Sequence, residues 1–105
     1  MIPVFDGHND AITREDAADF ATGRDGGHLD LPRARAGGLA GGIFALFTPT
    51  PGAQRIDFDR GGGRMEVELA APIGPEIAAA TTSQAAGRLL GLERDGHLRL
   101  SLIHI

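Results

Sequence analysis

The sequence predicts an α/β protein built on a parallel sheet, and three observations predict it. A short apolar run, Ile2-Pro3-Val4-Phe5, reads as a buried strand. A second run, Gly41-Gly42-Ile43-Phe44-Ala45-Leu46-Phe47, sits between glycines and Thr48-Pro49, as expected of a strand covered on both faces of a parallel sheet. Between and after them the apolar spacing is helical. Strand, helix, strand, helix implies crossover connections between parallel strands. Two or three such units do not close a (β/α)8 barrel, which needs eight and about 250 residues.

Each element has its own justification. After the first strand, Asp6-Gly7 begins a turn. Residues 11–22 set Ile12, Ala17, Ala18, Phe20 and Ala21 among Arg14, Glu15, Asp16 and Asp19, which predicts a short amphipathic helix capped by Thr13 with Asp16 three residues on. Residues 23–27 are a glycine-rich charged loop. Asp30-Leu31-Pro32 predicts a helix start, with Asp30 as N-cap and Pro32 in the first turn, and Gly37-Gly38 ends that helix after little more than a turn. Residues 51–64, with Gly61-Gly62-Gly63, read as a loop, and residues 65–71 as the start of a further helix. Pro72 and Pro75 bracket a break. Ile77, Ala80, Thr81, Gln84, Ala85, Arg88, Leu89 and Leu92 then keep a helical rhythm that predicts a helix over 76–94. Asp95-Gly96 turns the chain, and Leu98, Leu100, Leu102 and Ile103 form a candidate third strand. The ending Ser101-Leu102-Ile103-His104-Ile105 also resembles a peptide made when a sequencing adaptor is read through as coding sequence.

Composition bounds the function. With 105 residues the chain is one small domain or a piece of a larger one. Much of the apolar content is alanine, and sixteen glycines add unfolded-state entropy, so low stability as an isolated unit is expected. Without cysteine, any metal must be held by His and carboxylates. Acids outnumber Arg and Lys, which gives no nucleic-acid footprint. No apolar run is long enough for a membrane segment and no signal pattern is present, so a cytoplasmic location is expected.

His8-Asn9-Asp10 carries the chemistry. Side chains two apart at a strand end point the same way, and imidazole nitrogen and carboxylate oxygen both suit a zinc-class cation. A strand delivering His-x-Asp into a loop places these groups where β/α-barrel enzymes keep their sites, at the carboxyl ends of strands. The competing reading is a capped turn with Asp10 on nearby amides and His8 solvated. Asn9 is read either as ordering its neighbours through its amide or as an ordinary turn residue.

The segments Val4-Phe5-Asp6-Gly7-His8-Asn9-Asp10 and His28-Leu29-Asp30-Leu31-Pro32-Arg33-Ala34-Arg35-Ala36-Gly37-Gly38-Leu39-Ala40-Gly41-Gly42-Ile43-Phe44 together resemble the opening of the membrane (renal) dipeptidase family of zinc peptidases. The resemblance covers residues 2 to about 50 and implies that residues 1–105 are the N-terminal, incomplete part of one barrel domain. It implies a (β/α)8 barrel holding two zinc ions that hydrolyse dipeptides, with His8 and Asp10 matching the first-strand metal ligands. The family's bridging glutamate, later histidines and late aspartate match nothing in this chain. The chain alone is therefore expected to bind metal weakly and to be inactive. The partners expected are dipeptide substrates, with a homodimer as a compatible assembly.

Other candidates read as structural. His28 and Asp30 repeat the His-x-Asp spacing, but Asp30 fits an N-cap. Gly37-Gly38 and Gly41-Gly42 precede a strand and lack a lysine, unlike a phosphate loop. Phe44 and Phe47 suit a core better than a substrate platform. Thr81, Thr82 and Ser83 have no histidine on their face, Glu66 and Glu68 read as solvated, and His97 and His104 show no ligand spacing. Two alternatives remain beside the dipeptidase reading: another amidohydrolase-like barrel hydrolase, and a small non-catalytic α/β interaction module.

Overall fold

The computed structural model describes residues 2–50 and 70–101. Two strands, β1 (Val4–Asn9) and β2 (Leu39–Phe44), pair in parallel. The crossover between them contains a 3-10 helix (Ala17–Ala21) and helix α1 (Leu31–Ala36), and helix α2 (Pro75–Arg94) follows. The alternating order and the parallel pairing are those expected of the α/β class.

The first strand runs further than the expected 2–5. Its polar half, Asp6 to Asn9, continues the pairing with β2, and Phe5 and Asp6 stand opposite Gly41 and Gly42, where a side chain would crowd them. A Cβ on Gly41 would lie 3.1 Å from the Phe5 ring, and one on Gly42 would lie 3.3 Å from the Asp6 Cβ. Pairing is not uniform. Asp6 and Asn9 are three residues apart, while their partners Gly42 and Phe44 are two apart, so β1 carries an extra residue at Gly7-His8. Such a bulge bends a strand and re-aims its side chains.

The second strand starts earlier and stops earlier than the expected 41–47, and it is not covered on both faces by the described residues. Ile43 and Phe47 are exposed, as are Val4 and Phe5 on β1. Among the described residues α1 packs against β2 and the 3-10 helix, and α2 packs against the 3-10 helix. Ala11, Ile12, Phe20, Leu31, Ala85 and Leu89 form the core, and Phe44 packs against it edge-to-face with Phe20 at 5.8 Å.

The expected α-helix over residues 11–22 is not formed. Residues 11–16 are turns and only Ala17–Ala21 is helical, in the 3-10 form. The bonds skip three residues rather than four: Thr13 N to Asp10 O, Ala17 N to Arg14 O and Asp19 N to Asp16 O. Thr13 does not act as N-cap. Its hydroxyl donates back to Asp10 O at 3.0 Å.

Around α1 the local reading holds. Asp30 Oδ1 accepts from Arg33 N at 2.9 Å, Pro32 lies in the first turn, and Gly38 takes a φ of 74° just past the end. Helix α2 begins at Pro75 and buries Ala85 and Leu89. Residues 98–101 are irregular rather than a third strand, because Leu100 N is taken by Glu93 Oε1 at 2.8 Å while Leu98 and Leu100 pack on the core. The expectations for residues 51–69 and 102–105 lie outside the described residues. No helix among the described residues is long and apolar enough to cross a membrane.

Candidate metal site at the end of the first strand

Asn9 sets the geometry of the strand end. Its carbonyl accepts from Ala45 N at 2.8 Å, and its Nδ2 donates to Asp6 Oδ2 at 2.9 Å and to Ile43 O at 3.3 Å. Its Oδ1 accepts from Ala11 N at 3.2 Å. One amide thus ties the end of β1 to the end of β2 and to the turn beyond it. Of the two sequence readings of Asn9, the ordering role is the one the structure shows.

His8 and Asp10 flank Asn9, one on the strand and one just past it, and their side chains meet. His8 Nε2 lies 3.0 Å from Asp10 Oδ1, with the two side chains 68% and 55% exposed. Two ligands of a tetrahedral zinc ion stand roughly 3.3 Å apart, given metal–ligand distances of about 2.0–2.2 Å. One nitrogen and one oxygen at this separation, open to solvent, fit as two ligands of such an ion. Among the described residues no group of three or more His, Cys, Asp and Glu side chains converges on a metal position.

Behind the site lies a charged knot that the sequence reading missed. Arg24 is buried, with its guanidinium 5.7 Å from the Phe20 ring centre. Its Nη1 donates to Ala11 O and to Asp16 Oδ1, both at 3.1 Å, and its Nη2 donates to Leu29 O. Asp16 is also gripped by Arg14, through Nε to Oδ1 at 2.9 Å and Nη2 to Oδ2 at 3.2 Å. The Arg14 hydrogen bond, with the Arg24 charge adding to it, holds the Asp16 carboxyl below the usual range.

Asp30, the decoy of the sequence reading, belongs to this knot. It is 1% exposed and accepts from Arg33 N and, at 3.2 Å, from Arg24 N. The Arg33 amide, then the Arg24 amide, keep its carboxyl below the usual range against the opposing effect of burial. Each of its carboxylate oxygens accepts a backbone amide, the arrangement of an N-cap. On the far side, Arg88 Nη1 of α2 donates to Ile12 O at 2.9 Å.

Comparison with known proteins adds one relative. An uncharacterized protein in the PQQ-III 3' region of Acinetobacter calcoaceticus is 51% identical over 55 residues, covering 46% of this chain and 18% of that protein. The chain therefore spans less than a fifth of that relative's length. Its name gives a genomic position and states no activity. No protein-family profile and no solved structure matches the chain.

Proposed function

We propose that this chain carries the first-strand metal ligands of a zinc-dependent dipeptidase built on a β/α barrel, with His8 and Asp10 in that role. The observation that supports the reading is the meeting of His8 Nε2 and Asp10 Oδ1 at the carboxyl end of a parallel strand, beside the carboxyl end of its neighbour. The resemblance of residues 2–50 to membrane dipeptidases supplies the substrate class, dipeptides. The incompletely covered sheet, with Val4, Phe5 and Ile43 exposed, suits a sheet that further strands extend.

Bound zinc would acidify a water and polarise the scissile carbonyl. The residues of this chain would hold and orient. His8 would offer Nε2 as a neutral imidazole, with its ring proton carried on Nδ1. Asp10 would offer Oδ1. Asn9 would keep the two donors at a fixed spacing by pinning the strand end between them. Two donors from one strand hold a metal weakly, and the remaining ligands of a dinuclear site belong, in this reading, to the longer protein.

The test is a zinc titration of the chain followed by nuclear magnetic resonance. Saturable shifts centred on His8 and Asp10 are expected, and they should vanish in His8→Ala and Asp10→Ala. A zinc response that leaves these two residues unmoved, or survives His8→Ala, would sink the proposal.

A further inference from the structure

The turn that carries Asp10 is held by one backbone bond, Thr13 N to Asp10 O at 3.2 Å, and by several side-chain bonds. Asp10 O accepts from the Thr13 hydroxyl at 3.0 Å, and Ala11 N donates to Asn9 Oδ1 at 3.2 Å. Ala11 O accepts from Arg24 at 3.1 Å, and Ile12 O accepts from Arg88 at 2.9 Å. The first three donors or acceptors come from nearby in the chain. Arg88 lies 76 residues further on. It is placed by its neighbours Ala85 and Leu89, which anchor α2 in the same core as Ala11 and Ile12.

These two carbonyls decide the conformation of the turn. In an α-helix over residues 11–22, Ala11 O and Ile12 O would accept from the amides of Glu15 and Asp16. Asp10 would then stand at the position before the first helical residue. An aspartate there turns its carboxylate onto the amides two and three residues ahead. That carboxylate would be withdrawn from His8. Guanidinium groups on Ala11 O and Ile12 O compete with the helical bonds, and the observed bonds in this stretch are the shorter, three-residue kind.

We propose that Arg88 is a positioning residue for the His8–Asp10 site, acting through the Ile12 carbonyl to keep the segment after Asp10 out of a helix and its carboxylate on His8. The inference rests on the reading of His8 and Asp10 as metal ligands. It gives α2 a task in the site that its sequence, a plain amphipathic helix, does not announce. Groups that act behind metal ligands in this way typically change metal affinity by about 10- to 100-fold.

Arg88→Met keeps the length of the side chain and removes the donor. Arg88→Lys restores a cationic donor. Zinc affinity at His8 and Asp10 is read by the same resonance titration, with backbone carbon shifts of residues 11–16 as a second readout. The expected result is an affinity about 10-fold or more below wild type for Arg88→Met, helical shifts at 11–16, and substantial recovery in Arg88→Lys. Wild-type affinity and unchanged shifts in Arg88→Met, while His8→Ala has lost binding, would overturn the positioning role and leave the metal reading standing. No zinc response at His8 and Asp10 in the wild-type chain would remove both. Should Arg88→Met not fold, Arg88→Gln, with its shorter neutral donor, takes its place under the same criteria.

Discussion

Asp30 and Asp16 remain acids held below the usual carboxyl range inside a network of arginines, and this makes the fold sensitive to acid. A carboxyl whose folded value lies below its unfolded value, about 3.9 for aspartate, contributes stability at higher pH and loses it as pH falls through the folded value. Stability should therefore hold from neutrality to about pH 4 and fall below it. Urea midpoints measured from pH 7 to pH 2.5 check this, and Asp30→Asn should be less stable at pH 7 with a shallower loss in acid. A midpoint insensitive to acid would show that these contacts do not matter to stability. The Asp30 cap was legible because Asp-Leu-Pro is a local signal that needs no tertiary partner. The approach of His8 to Asp10 was legible for the same reason. Arg24 and Arg88 were not, because an arginine buried by its partners has the same local sequence as one on a solvated face.

Helix α2 was readable almost to the residue, since twenty residues of apolar rhythm outweigh any single contact. Segment 11–22 had the same kind of rhythm and failed, because guanidinium groups from elsewhere in the chain took its carbonyls. Strand β1 outran its apolar residues because pairing with Gly41 and Gly42, not hydrophobicity, carries it through Asp6 and beyond. Two glycines give a paired test of how helices are bounded here. Gly87 lies inside α2 with no neighbouring atom within 4 Å of where an alanine methyl would stand, so Gly87→Ala should raise stability by about 1 kcal/mol. Gly38, at φ 74° after α1, occupies the left-handed region, so Gly38→Ala should lower it by roughly 1–2 kcal/mol. Thermal or urea unfolding of the two variants beside wild type reads both signs. The same sign for both would contradict the backbone argument.

At the scale of the molecule, the sheet is the thin element. Two strands alone are marginal in water, and here they leave Val4, Phe5 (66% exposed) and Ile43 facing solvent. The chain should accordingly bind a hydrophobic dye strongly in its native buffer, and Phe5→Ser with Ile43→Thr should cut that signal by more than half without unfolding the core around Phe20. Dye binding unchanged by the pair would move the exposed apolar surface elsewhere. The sequence showed the parallel order because alternation is a chain-wide pattern. It did not show where coverage stops, since a strand's apolar run reads alike whether or not other layers reach it. The separation of the arginine contacts has a kinetic meaning. Arg24, Asp30 and Arg33 meet across six and three residues, whereas Arg88 reaches Ile12 across 76. Closing the long loop costs more chain entropy than closing the short ones. The charged knot of the crossover can thus assemble early in folding, and the docking of α2 comes late, so the turn that aims Asp10 acquires its final shape only in the last step on the way to the native state.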